Sequence, residues 1–544
     1  MRGADVVIKT LKSLGVERIF ALSGNQIMSL FDACIDAGVS IVHVRHEAAA
    51  MHMADGWGRL TGQPGVAMVT AGPGMANAVS AMYGAMMAES PCIILTGHAS
   101  LAQLGKGAFQ EMAQAEIASH VCKASWTAQS GPGLAEDMTR AFAIASAGRP
   151  GPVHISLPFD FLEKPVEGIK EPGPLPYNLM QSPGPLKERE AASILDALET
   201  ARRPIMIAGP AMMRGRARDE VKSLSHRTRI PVAFMESPRG VNDPSLGGLA
   251  GVLQKADTVF VVGKKVDYTM RFGQPPAFAA DASFIQLDAE EESIKQTKRQ
   301  FADASRVAQA YAADPLKSTE LLLKLAKERE WDYGSWTEHT KAALAHRPPE
   351  WKALASPPTG PLYAAELCYA VQEFLTGEQD VFISDGGEFG QWAQACMTAP
   401  VRVINGIAGS IGSAIPLAIA ARVAHPKSRI VIFLGDGTAG FHALEMDTAL
   451  RYGLPFVAIV GNDAAWGAEY QIQLRSYGKG RLYECELLPT RYDKIATAMG
   501  CHGERVSTFA DLRPALERAF DSGLPSLLNV DIRRDAAPAA PSHG

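Results

Sequence analysis

Short apolar runs recur along the chain, and each is followed by a stretch whose apolar residues fall at helical spacing. In the first 165 residues the runs are IFALSG, SIVHV, GVAMVTAGPG, PCIILTGH and GPVHISLP. Continuous apolar runs of this length predict strands buried on both faces, and their alternation with helices predicts a parallel, doubly wound sheet. The pattern returns at RPIMIAGP, PVAFME, TVFVVGKK and SFIQLD, and again at DVFISDGG, RVINGI, RIVIFLGDG, PFVAIVGND and PSLLNVDI. Residues 166–190 are rich in Pro and Gly and predict a linker. A charged helical stretch near residue 330 is expected to close the second domain. The expected architecture is α/β, with three doubly wound parallel-sheet domains at 1–165, 191–330 and 355–535. Residues 536–544 form a tail that is flexible or closing.

Composition narrows the function. Of the 544 residues 47% are hydrophobic and 20% charged, as in ordinary globular proteins. A net charge of -5 with scattered basic residues leaves no footprint for nucleic acid, and no polybasic cluster suggests an anionic membrane. The seven cysteines show no CxxC spacing and mostly lie in apolar runs, so they are expected to be buried reduced thiols of a cytoplasmic protein. The N-terminus lacks a signal-peptide core, and no apolar run is long enough to span a bilayer.

The chemistry concentrates in LGDGTAGFHALEMDTALRYGLPFVAIVGNDAAWG, residues 434–467. Gly435, Asp436, Gly437 and Thr438 follow an apolar strand and precede a helix expected to start near Phe441. Glycines at such a strand end let backbone amides approach a phosphate. The next strand delivers Asn462 and Asp463 to the same rim. Mg2+ beside a diphosphate takes one or two carboxylates, a carbonyl, water and phosphate oxygens. Asp436, Asp463 and the carbonyl near Ala465 fit that set. Short acidic residues at such places also cap helices and start turns.

GDG followed after 24 residues by Asn-Asp resembles the cofactor signature of the thiamine-diphosphate enzymes. The resemblance implies a glutamate that hydrogen-bonds the aminopyrimidine and promotes its imino tautomer, whose ring nitrogen takes the thiazolium proton. Glu47 in VRHEAAAMHMADG matches it. VTAGPGMANA resembles the pyrimidine-contacting loop through Gly72, Pro73, Gly74 and Asn77. In AGSIGSAIPLA, Ile411 stands where the family places a bulky residue under the cofactor, and the Gly409 carbonyl would face the ring amino group. SDGGEFGQW resembles a second diphosphate loop, with Gly387 and Glu388 as candidates. The order is pyrimidine-binding, central and diphosphate-binding domain. The resemblance also implies a homodimer or homotetramer, in which Glu47 of one subunit faces Asp436 and Asp463 of its neighbour.

Other positions bear on the substrate, a small molecule. Asn25 and Gln26 stand where related lyases, carboligases and decarboxylases carry residues facing the reacting carbon. Phe109 and Gln110 resemble the Phe-Gln pair of acetolactate synthases, with Gln110 expected to orient a carbonyl or a water. The absence of an adjacent His-His pair argues against a pyruvate-decarboxylase-like enzyme. VVGKKVDYTMRFGQPPAF resembles 2-hydroxyacyl-CoA lyases, so Lys264, Lys265 and Arg271 are candidates for CoA phosphates, although solvated surface cations are common. FAD is not expected. The segment 466–488, with Glu469, Tyr470, Arg475 and Tyr477, follows the metal loop and is a candidate cover for the pocket. The resemblance implies a 2-hydroxyacyl-CoA lyase that releases formyl-CoA and an aldehyde or ketone. The alternatives are a CoA-independent enzyme like benzaldehyde lyase or acetolactate synthase, acting on 2-hydroxy ketones or 2-oxo acids, and a silent nucleotide-binding protein.

Overall fold

The computed structural model describes residues 1–168 and 183–540. Most of the expected linker and the last four residues of the expected tail lie outside the described residues. The chain divides into two compact units, one with residues 1–146, 150–168 and 350–537, the other with 147–149, 183–349 and 538–540.

The first unit holds two six-stranded parallel sheets. One comprises β1 (Arg18–Ala21), β2 (Ser40–His43), β3 (Gly65–Val69), β4 (Cys92–His98), β5 (Ala124–Thr127) and β6 (Pro152–Pro158), in the order β2-β1-β3-β4-β6-β5. The second unit holds the five-stranded sheet, with β7 (Pro204–Ala208), β8 (Val232–Phe234), β9 (Thr258–Val262), β10 (Ser283–Asp288) and β11 (Val307–Ala312), in the order β11-β10-β9-β7-β8. The other six-stranded sheet is built from β12 (Val381–Ser384), β13 (Val401–Ile404), β14 (Ile430–Gly435), β15 (Val457–Asn462), β16 (His502–Val506) and β17 (Ser526–Asp531). Its order, β13-β12-β14-β15-β17-β16, repeats that of the first sheet. In both, the chain reverses direction across the sheet after the second strand. The switch points therefore lie between β1 and β3, and between β12 and β14.

The expected three parallel-sheet α/β domains are present. The central unit, however, continues through residue 349 rather than closing near 330, because Trp331, Tyr333 and Trp336 are buried in its core. Within the first unit the two sheets share one core. The helix Glu47–Thr61 meets the helix Ala414–Ala424 so closely that a Cβ on Gly56 would lie 2.9 Å from the Ala420 Cβ. Buried Arg59, paired with Asp55 at 2.5 Å, donates across this seam to the Ile404 carbonyl at 2.6 Å. All seven cysteines are buried and none forms a disulfide. No helix among the described residues is long and apolar enough to cross a membrane.

Candidate active site

The candidate residues gather at the two switch points of the first unit. β14 ends at Gly435, and the helix Asp436–His442 begins at once rather than near Phe441. Gly435 serves as its N-cap, and the Thr438 hydroxyl turns back to the Gly435 carbonyl at 3.0 Å. Asp436 is buried, its Oδ2 has no hydrogen-bond partner, and its backbone carbonyl accepts from the Tyr492 hydroxyl at 2.7 Å. Burial, with the Asp463 carboxylate beside it, pushes Asp436 up to about 7. Burial also raises Asp463, against the pull of Arg534. Two buried carboxylates side by side, one with an oxygen that finds no donor, make a candidate cation site.

The turn after β15 has its own supports. Asn462 accepts from the Ala464 amide at 3.1 Å and donates to the Thr490 carbonyl and to Asn529. Ala464 sits at φ +53°, the left-handed region that a residue with a Cβ seldom adopts. Trp466 lies against Gly437, where a Cβ would be 2.7 Å from the ring, so any larger residue there must displace the indole. Among the described residues no three His, Cys, Asp or Glu side chains come together as a metal cluster. A cation at Asp436 and Asp463 therefore needs oxygens beyond side chains, such as a backbone carbonyl, water and a diphosphate.

The loop after β12 is organised by Asp385, which sequence reasoning missed. Its fully buried carboxylate accepts the amides of Gly386 at 2.8 Å, Gly412 at 3.0 Å and Ala414 at 3.1 Å. Burial outweighs these donors and pushes it up to about 6. It fastens the strand end to the turn carrying Gly409 and Ile411, and Ile411 packs against Gly386. A Cβ on Gly387, Gly409 or Gly435 would meet nothing within 4 Å, so these backbone segments face open space. Glu388 does not face that space with a bare charge, since its carboxylate accepts the Ala537 amide.

At the other switch point Glu47 starts its helix and accepts from Asn77 Nδ2 at 3.0 Å. His46 caps the helix by accepting from the Ala48 amide at 3.1 Å, and buried Glu445 accepts the Arg45 amide at 3.0 Å. Gly74 lies beside both Glu47 and Thr70. Thr70 donates to the Gln26 side chain at 2.7 Å, which places buried Gln26 in this cluster while Asn25 is exposed. Pro73 opens the helix Pro73–Met87. Gln110 packs on Gly72, has φ +58° and carries a buried Oε1 without a partner. Phe109 is exposed. Gln114, also missed, is fully buried, accepts from the Gly72 amide at 2.6 Å and donates to Thr96, Ser156 and the Gly97 carbonyl. A glutamine four residues after Gln110, at the head of a helix, was the available signal, but nothing in sequence separates it from a surface glutamine.

The central-domain candidates differ from expectation. Lys264 is 1% exposed and its ammonium is held by Asp267 at 3.1 Å and the Lys265 carbonyl at 2.9 Å, so its charge is already engaged. Lys265 pairs with Glu290 at 3.3 Å. Arg271 is exposed and lines a pocket of about 400 Å3 with Asn242, Gln254 and Gln274.

Comparison with known proteins agrees with this layout. Residues 1–117 match the N-terminal TPP binding domain of thiamine pyrophosphate enzymes, residues 191–312 their central domain and residues 385–530 their C-terminal TPP binding domain. An acetolactate synthase large subunit of Mycobacterium tuberculosis is 32% identical over 541 residues, covering 97% of this chain and 95% of that protein. The 2-hydroxyacyl-CoA lyase 2 of Homo sapiens is 27% identical, covering 98% and 90%, and the 2-hydroxyacyl-CoA lyase 1 of Mus musculus is 28% identical, covering 97% and 94%. With all three domains matched and a relative above 30% identity over nearly its whole length, the chain belongs to the thiamine-diphosphate-dependent enzymes, in their lyase and carboligase group.

Proposed function

We propose that this enzyme makes and breaks carbon–carbon bonds with thiamine diphosphate and Mg2+, using Glu47 of one copy and Asp436 with Asp463 of another. The observation that carries the reading is the buried carboxylate pair, with its unsatisfied oxygen, at the rim of open backbone formed by Gly387 and Gly435. Bound there, thiamine diphosphate supplies an electron sink for the carbonyl carbon of the bond that breaks. Asp436, Asp463 and the carbonyl near Ala465 hold the cation, and the glycine backbone holds the diphosphate. Ile411 and the Gly409 carbonyl bear on the rings. Glu47, oriented by Asn77, holds a proton at its carboxyl oxygen and passes it to the pyrimidine. Gln110 Oε1 accepts from a substrate hydroxyl or a bound water, and Gln26 and Asn25 flank the reacting carbon. Pairing of copies is supported by Phe441 (52% exposed), Leu444 (56%) and Tyr83 (44%), large apolar residues near the two halves that a second copy would cover.

For the substrate, the reading is reversible cleavage of a 2-hydroxyacyl-CoA into an aldehyde or ketone and formyl-CoA. It is supported by Asp at 463 after Asn462 and by the Arg271 pocket, offered to the nucleotide end of CoA. A second reading, condensation of 2-oxo acids, is favoured by the 32% identity to an acetolactate synthase. Purified enzyme with thiamine diphosphate and Mg2+ is offered formyl-CoA with assorted aldehydes and ketones, and separately 2-oxo acids. Products of the first set alone are expected, with Arg271→Ala raising KM for the CoA substrate. Turnover of 2-oxo acids alone sinks the CoA reading. Glu47→Gln should lower kcat by at least about a hundredfold in either case.

A further inference from the structure

Beyond β17 the chain turns back onto the cofactor loops. Arg534 donates through Nη2 to the carbonyls of Asp463 at 2.8 Å and Ala464 at 3.2 Å, and through Nη1 to Glu486 at 2.9 Å. Its Nε lies 3.9 Å from the Asp463 carboxylate, and its guanidinium stacks over the Tyr470 ring with 4.8 Å to the centroid. The Arg534 carbonyl accepts from Gln471 at 3.4 Å. Two residues further, the Ala536 carbonyl accepts from the Trp392 indole at 3.0 Å, and the Ala537 amide donates to Glu388. One short segment thus fastens both the helix that follows β12 and the turn that follows β15.

The chemistry explains why a guanidinium stands here. The Asp463–Ala464 turn carries a left-handed alanine, a conformation that costs about 1 kcal/mol and persists only where neighbours over-determine it. The turn also exposes two adjacent carbonyls that need donors. A planar fork reaches both carbonyls and a carboxylate while its face covers Tyr470, whereas a lysine ammonium is a single point charge without a stacking face. A cation 3.9 Å from a carboxylate offered to a metal also competes with that metal. The Glu486 carboxylate, closer to the guanidinium than the Asp463 carboxylate is, balances this charge, so the positional effect dominates.

We propose that Arg534 is a positioning residue of the cation half-site: it holds the Asp463–Ala464 turn in the shape that presents the Asp463 carboxylate, which makes the C-terminal strap part of the cofactor apparatus. This rests on the reading of Asp436 and Asp463 as cation ligands. The test uses full-length wild type, Arg534→Ala, Arg534→Lys and, as control, Arg533→Ala, whose side chain lies over Tyr363. Mg2+ is titrated into each metal-free protein at saturating thiamine diphosphate and followed by tryptophan fluorescence, Trp466 lying beside Gly437. Thermal unfolding of the metal-free proteins is recorded in parallel. Arg534→Ala should weaken Mg2+ binding by about tenfold or more. Arg534→Lys should fall between it and wild type, and Arg533→Ala should match wild type, with similar unfolding midpoints throughout. Unchanged or tighter Mg2+ binding in Arg534→Ala overturns the proposal. Equal weakening in Arg533→Ala, or weakening that tracks the unfolding midpoint, overturns it as well, by showing a merely structural role. A wild type that binds no Mg2+ with thiamine diphosphate overturns the ligand reading itself and the proposal with it.

Discussion

At Asp436 the cost of burying a single carboxylate becomes a measurable property of the whole protein. In the metal-free folded protein it keeps its proton up to about pH 7, against 3.8 as its ordinary value. Between those values the folded state binds more protons than the unfolded one, so stability of the metal-free protein falls as pH rises from about 4 to about 7 and then levels off. On the proposed reading a cation would replace that proton, so Mg2+ with thiamine diphosphate should stabilise the protein more at pH 8 than at pH 6. Unfolding midpoints across this range, with chelator and with Mg2+ and cofactor, check both slopes. Asp436→Asn should make the chelator slope shallower and remove the dependence on Mg2+, leaving the part due to Asp385, which burial also raises to about 6; a slope unchanged in Asp436→Asn assigns the titration elsewhere. Glu47, Asp436 and Asp463 were legible in the sequence as candidates because each sits inside a local motif. Asp385, Gln114 and Arg534 were not, because their partners come from distant segments: Asp385 serves Gly412 and Ala414, Gln114 serves Gly72, and Arg534 serves Asp463. Lys264 misled for the same reason, since its partner Asp267 decides whether its charge is available.

At the scale of elements, every interior strand was predicted by its apolar run. The strands that went unpredicted are β5, β11 and β16, and each lies at a sheet edge. Their sequences ASWT, VAQAYA and HGERV are partly solvated and lack a continuous apolar run, because an edge strand is not packed like a central one. The helix after β14 was misplaced for a related reason. DGTAG has no apolar periodicity, and the burial of Asp436, Thr438, Ala439 and His442 against neighbouring segments is what a linear pattern does not show. One of those contacts, Trp466 against Gly437, couples this helix to the one that starts at Gly467. Gly437→Ala should push the indole aside at a cost of about 1–3 kcal/mol. The expected outcome is a lower unfolding midpoint and weaker cofactor binding; wild-type values in both would show that the contact yields without consequence.

At the scale of the molecule, the two half-sites belong to separate sheets, and the proposed pairing of copies makes a distinctive prediction. Glu47→Gln and Asp436→Ala should each be inactive alone. Co-expressed, they form mixed assemblies in which the intact Glu47 of one copy meets the intact Asp436 of the other. Activity of the purified mixture should recover to about a quarter of wild type for random dimers, as half the sites in half the dimers are whole. No recovery would place both halves within one chain. The sequence by itself determined the α/β class, the three parallel sheets and the cofactor family, and it singled out the three acidic residues as candidates, because apolar periodicity and short motifs are local properties of a chain. Tertiary structure alone decided which carboxylates lie together and which way burial shifts them, which cations are engaged and which exposed, and that residues 534–537 fasten the turn after β15 to the helix after β12. Those properties depend on burial and on partners far apart in the chain, which a linear pattern does not encode.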